Sequence, residues 1–252
     1  MGATGRETAA IVKREYGGFC QDRCRWMGTG LLWVLLAVGI GAGCGGDNAI
    51  RDAETMRLDE RTPDEVFAEV EERLASTEQA GLEFWVVSEG AFAASLAGDL
   101  TIGDRDDVRL DASGRFGADT VSVWLEGTPG GMRWGTLEES FEGEVPADLR
   151  EGVVIGLTRM GVLHNLARLV SGAPPDRTDG SVRSWVEVEE MDWREGDSGP
   201  GEYGLSFRIR VGGERAGRAV VWLDSEGEMV GRDQVVEFPG GEMRVEERYR
   251  WK

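Results

Sequence analysis

Leu205-Ser206-Phe207-Arg208-Ile209-Arg210-Val211 alternates apolar and polar side chains without a break. A period of two places the apolar set on one face and the polar set on the other, the pattern of a half-buried strand. Met243, Val245, Tyr249 and Trp251 alternate in the same way with Arg244, Glu246, Arg248 and Arg250. Between and before these stretches, Ser184 to Met191, Ala216 to Asp224, Asp233 to Phe238 and Glu242 to Trp251 also read as strands. Further upstream, Phe92, Ala94, Leu96, Gly98, Leu100 and Ile102 share one face and end at the turn Gly103-Asp104-Arg105-Asp106. Val108 to Phe116, Thr120 to Glu126 and Met132 to Trp134 follow, separated by turns carrying Gly or Asp. These strands predict an antiparallel meander with one buried face.

Two segments break the period of two. Thr62-Pro63-Asp64-Glu65 has a capping residue, proline at the first helical position and acids in the first turn, and so predicts a helix start. Val66, Phe67, Val70 and Leu74 mark one face of that helix, which ends near Ser76. The second helix is predicted from Asp148 to about Ser171. Val153, Val154, Ile155, Leu157, Met160, Val162, Leu163, Leu166, Leu169 and Val170 make it apolar around most of its circumference. Such a helix must be buried on several sides. Ala173-Pro174-Pro175 stops it. The expected fold is α+β and mostly β: a curved antiparallel sheet forming an incomplete barrel, with an N-terminal helix and the buried apolar helix on its concave side.

The N-terminal part follows a different logic. Leu31 to Ile40 is an apolar run, Gly41-Ala42-Gly43 is small, and Cys44 follows at once; Lys13, Arg14, Arg23 and Arg25 precede it. This is the order of an export signal, and it resembles a bacterial lipoprotein signal whose cysteine receives a diacylglycerol. The alternative is an uncleaved anchor, but the apolar run is shorter than the about 20 residues that a spanning helix needs. Residues 45–61 are small, polar and charged, as in a flexible tether. The expected division is 1–43 extension and signal, 44–61 lipidated tether, and 62–252 folded domain.

Composition narrows the functional classes. The cysteines are Cys20, Cys24 and Cys44, so a processed chain keeps only Cys44 and has no disulfide framework. There are 28 basic and 47 acidic residues, a formal net charge of −19, which repels nucleic acid and anionic lipid head groups. His164 is the sole histidine, which removes His-pair metal sites and most acid–base schemes. Gly196-Asp197-Ser198-Gly199 has the look of a serine-protease nucleophile loop, but lies among turn residues with only His164 to serve as base. Glu187, Glu189 and Glu190 lack the spaced loop of a calcium hand. Gly41 to Gly46 fits a dinucleotide GxGxxG but follows no strand. The expectation is a non-enzyme with no cofactor and no metal.

Val221-Trp222-Leu223-Asp224-Ser225-Glu226-Gly227-Glu228-Met229-Val230-Gly231-Arg232 runs from a strand ending in aspartate, through a tight turn with glycine, into a strand carrying arginine. With the lipoprotein signal and the order of elements, it resembles the periplasmic lipoprotein carrier and receptor superfamily of LolA and LolB. The resemblance covers residues 62–252. It implies an incomplete barrel closed by helices around a cavity for acyl chains. The apolar helix on the concave side makes Leu157 and Met160 the candidate ligand contacts, with His164 on the same helix as a polar one, and the place of Cys44 after the signal core makes it the lipid attachment. The expected partners are a membrane, through the N-terminal lipid, and a lipid or lipoprotein acyl chain; the protein is expected to be monomeric and to avoid nucleic acid. Gly45 stands where an aspartate favours inner-membrane retention in enteric bacteria, so the expected location is the outer membrane, facing the periplasm. The competing expectation is a structural or envelope-stress-sensing lipoprotein that binds a protein and has no ligand cavity.

Overall fold

The computed structural model describes residues 57–104, 107–146, 149–170, 182–194, 199–238 and 241–252. Cys44, the expected signal segment and most of the expected tether lie outside the described residues. Eleven strands form one antiparallel sheet: β1 (Ala80–Gly90), β2 (Ala94–Ile102), β3 (Val108–Phe116), β4 (Asp119–Thr128), β5 (Gly131–Thr136), β6 (Ser140–Gly143), β7 (Val186–Arg194), β8 (Tyr203–Val211), β9 (Glu214–Leu223), β10 (Met229–Phe238) and β11 (Gly241–Trp251). Their order is β6-β5-β4-β3-β2-β1-β11-β10-β9-β8-β7. Two meanders are thus joined where β1 pairs with β11, from Leu82 opposite Trp251 to Gly90 opposite Met243. The sheet stays open, with β6 and β7 as its edges.

Alternation decides which face is buried. Leu205, Phe207 and Ile209 on β8, Leu96, Leu100 and Ile102 on β2, and Met243, Val245 and Tyr249 on β11 all belong to one continuous core. The helices cover this inner face, so the sheet and helices form two layers around one interior. Helix α1 (Pro63–Ser76) begins as its sequence predicts: the Thr62 backbone N–H donates to the Glu65 carboxylate at 3.3 Å. Its Phe67 ring packs on Phe207 with centroids 5.1 Å apart. Among the described residues no buried side-chain nitrogen or oxygen lacks a hydrogen-bond partner.

The second helical region departs from expectation. It is not one helix from Asp148 to Ser171 but α2 (Leu149–Ile155), a π-helical turn over Gly156–Met160, a break at Gly161, and α3 (Val162–Val170). Gly161 has φ +84°, a left-handed conformation that side chains resist. A further short helix, α4 (Val182–Trp185), occupies positions where a strand was expected to begin at Ser184. Two strands had no separate expectation. In β1 the outward Trp85 and Val87 are apolar like the inward Phe84 and Val86, which hides the alternation. In β6 only four residues pair.

Candidate functional site

The helices and the β2–β4 part of the sheet leave an apolar void of about 70 Å³ between them. Leu100, Val108, Leu110 and Leu125 form its sheet wall; Leu149, Val153, Leu157, Met160 and Leu169 contribute from the helices. Leu157, Met160 and His164, read from different turns of a single expected helix, all reach this void despite the break between them. Leu157 is buried on the π-helical turn, Met160 is half-buried at the end of that turn, and His164 is half-buried on α3. Asn165 lies beside His164, with its Nδ2 only 2.7 Å from where a Cβ on Gly156 would stand. Glycine at 156 therefore lets α3 approach the π-helical turn closely.

Across the interior, against β10 and β11, the helices meet charge instead of hydrocarbon. Arg232 on β10 and Glu247 on β11 are 0% and 1% exposed and stand directly opposite each other in the strand register. The Arg232 guanidinium donates to the carbonyl oxygens of Thr158, at 2.5 Å, and Arg159, while its Nε donates to Gln234 at 3.2 Å. The Glu247 carboxylate accepts from the backbone N–H groups of Val162 and Leu163, each at 3.0 Å, and from the Tyr249 hydroxyl. An unbroken α-helix would join these same groups to each other, because each N–H bonds the carbonyl four residues back. Val162 would bond Thr158 and Leu163 would bond Arg159. Arg232 and Glu247 thus replace two helical hydrogen bonds, a cation at the carbonyl end and an anion at the amide end, as the helix dipole favours. A Cβ on Gly161 would lie 2.7 Å from Glu247 Oε1, so the break requires glycine for space as well as for φ.

Electrostatic consequences follow from this burial. Desolvation holds the Arg232 pKa below its ordinary value, opposed by the nearby Glu247 and Tyr249. Burial, then the Glu247 charge, pushes the Tyr249 phenol well above its ordinary value. The Arg232 guanidinium also sits 5.5 Å from the Phe207 ring centroid, which contributes cation–π attraction.

A second charged cluster ties α1 to the same helical segment. Glu71, 2% exposed, accepts from Thr158 Oγ1 at 3.0 Å, from Arg159 Nε and Nη2 at 2.7 and 2.8 Å, and from Arg183 Nη1 at 2.9 Å. Arg159 Nη1 also donates to the Val186 carbonyl at 2.7 Å, reaching β7. The two-pronged Arg–carboxylate geometry fixes direction as well as distance. At the start of α2, Arg150 donates to the carbonyls of Ala75, Gly103 and Thr77.

The stretch Val221 to Arg232 folds as β9, a turn and β10. Asp224 Oδ1 accepts from the N–H groups of Glu226 and Glu228, both at 2.9 Å, and Gly227 takes φ +76°. Its terminal arginine is the buried Arg232. Ser198 lies outside the described residues, whereas His164 points to the void of the inner layer. Glu189 and Glu190 form ion pairs with Arg210 and Arg208. Among the described residues there is no group of three or more side chains suited to a metal ion. None of their helices is long and apolar enough to cross a membrane.

Sequence reasoning missed Glu71, Arg232, Glu247 and Gly161 as site residues. For Glu247 a signal existed: it occupies an inward position in the alternation of Met243, Val245, Tyr249 and Trp251. An acid in an apolar row marks a buried partner elsewhere. No protein-family model matches the chain, and no curated protein is similar to it in sequence.

Proposed function

We propose that the chain is a lipid-anchored protein of the bacterial cell envelope, of the LolA/LolB-like kind, whose domain receives an acyl chain between the sheet and the helices. The supporting observation is the apolar void at which Leu157, Met160 and His164 converge. Its lining is almost wholly hydrocarbon, which favours an alkyl ligand over a polar one. At about 70 Å³ the void is far below the roughly 300 Å³ of an ordinary ligand site. An acyl chain must therefore displace a helix as it enters. The role is binding without catalysis, with Cys44 as the lipid attachment and the outer membrane as the site of anchorage.

The small void also favours a second reading, in which the interior is core alone and the protein acts by binding another protein. Native mass spectrometry separates the two: a co-purified lipid mass supports the first, and an empty mass across preparations supports the second. Leu157→Trp sharpens the distinction. In the ligand reading it abolishes binding of cis-parinaric acid, a fluorescent fatty acid. Overpacking costs about 1 to 3 kcal/mol in either reading, so retained binding in the folded variant contradicts the site. The anchor has its own test. Cys44→Ala should eliminate metabolic labelling by an alkyne fatty acid and release the protein from membranes. Equal labelling of both proteins would remove the lipoprotein reading.

A further inference from the structure

We infer that the helical layer is a two-state switch in which Gly161 straightens, joining α2, the π-helical turn and α3, while Arg232 and Glu247 exchange their helix partners for each other. Four backbone groups meet at the break. The Thr158 and Arg159 carbonyls and the Val162 and Leu163 N–H groups are bonded in this structure by Arg232 and Glu247. In a straight helix they bond one another, 162 to 158 and 163 to 159. Neither arrangement leaves any of these four groups unsatisfied, which two states of similar free energy require.

The side chains released by straightening also have somewhere to go. Arg232 and Glu247 are cross-strand partners on the same face of β10 and β11. Directly opposed side chains on an antiparallel pair have Cβ atoms about 5 Å apart, within reach of an ion pair. Gln234 and the Tyr249 hydroxyl, which already bond the arginine and the glutamate, can remain in place. Four helix-to-side-chain hydrogen bonds thus become two helical hydrogen bonds and one ion pair, and no charge loses its partner.

The two helical pieces do not respond equally. The segment before Gly161 is held at its start by Arg150 and at its end by Thr158 and Arg159 on Glu71. Straightening therefore moves α3, which packs on β4 and β5 and carries one wall of the void through Val162, His164, Asn165 and Leu169. A π-helical turn beside the break is consistent with a functional position, since π-turns recur at such sites. This inference rests on the proposed binding role only for its purpose, namely admitting a chain that the void is too small to hold.

Gly161→Ala is the lever. It strains the broken state through φ +84° and the contact with Glu247, and it favours the straight one through helix propensity. Leu166 on α3 and Ile155 on α2 are both 0% exposed. Each is replaced in turn by cysteine in the full chain, and alkylation by iodoacetamide is followed at that peptide by mass spectrometry. With Gly161 retained, position 166 should react faster than position 155. Adding Gly161→Ala should accelerate position 166 by about fivefold, the preference of alanine over glycine in a helix, and leave position 155 unchanged. Equal acceleration at both positions, or none at 166, overturns the switch. If the alanine variant does not fold, the comparison in the Gly161 background still decides: position 155 reacting as fast as 166 overturns it. Uptake of cis-parinaric acid is measured separately. Selective alkylation at 166 without any uptake would reject the binding role and leave the switch standing.

Discussion

The two halves of the sheet hold the helices by different physics. On the β7–β11 side, charged groups bond helix and sheet at fixed angles: Arg232 and Glu247 hold the helix backbone, and Arg159 donates to the Val186 carbonyl of β7. On the β2–β5 side, contact is between hydrocarbon surfaces, and the void lies there. Hydrogen bonds to charged groups specify one geometry, whereas apolar contact tolerates sliding and repacking. The difference teaches that one layer can be anchored along one flank and adjustable along the other. Charge is placed where position is fixed, and the flank that carries the void is lined mostly by hydrocarbon.

The largest expected effect comes from removing the charged flank's centre. Arg232→Met keeps length and apolar bulk but leaves the Thr158 and Arg159 carbonyls and the buried Glu247 without their cation. Breaking a buried charged network in this way costs about 3 to 5 kcal/mol. Urea and thermal unfolding of the full chain should show it as a large fall in midpoint. A loss below about 1 kcal/mol would place Arg232 among ordinary hydrogen-bonding residues and erase the contrast between the flanks.

Tyr249 tests the same flank through pH. Its folded pKa is raised well above 10.0 by burial first and then by the Glu247 charge. The neutral phenol is therefore the form the fold favours. This contribution is fully present below the unfolded value of 10.0 and is lost as pH rises through the higher folded value. Tyr249→Phe removes the hydroxyl bond to Glu247, costing about 1.5 to 3 kcal/mol near neutrality. It should also flatten the fall of the melting temperature as pH rises above about 10. A parallel fall in both proteins would show that the phenol ionises alike in the folded and unfolded chains.

Much of the apolar flank was legible in the sequence, and much of the charged one was not. The period-two run Val108 to Phe116 matches β3 at both ends, because one face is buried and the other wet. The convergence of Leu157, Met160 and His164 on one void followed from the apolar circumference of their segment. Arg232 carries no such mark locally, and Glu247 only that of an acid in an inward apolar row. Each acquires meaning only from a partner about 74 to 85 residues away in sequence, at the break in the helix. Gly161 was equally opaque, since a glycine inside an apolar helical pattern reads as a tolerated defect until the carboxylate beside it is known. Folding of β1 was obscured by Trp85 and Val87, which are 42% and 45% exposed and supply apolar character on the wrong face.

The smallest expected effect places one methylene on each flank. Val108 on β3 lines the void, and Val221 on β9 stands opposite Arg232 in the strand register; both are 0% exposed. Val108→Ile adds a carbon where the void can accept it, and burial of a methylene stabilises by about 0.8 kcal/mol. Val221→Ile adds the same carbon beside the guanidinium, where it must push on fixed hydrogen bonds, and overpacking costs about 1 kcal/mol or more. Opposite signs in the two unfolding midpoints are the expected outcome. If both variants lose stability, the β2–β4 flank is packed as tightly as the charged one and the void offers no room to a ligand without movement of α3. If both gain, the hydrogen bonds around Arg232 yield to side-chain growth, and the contrast would have to rest on charge alone.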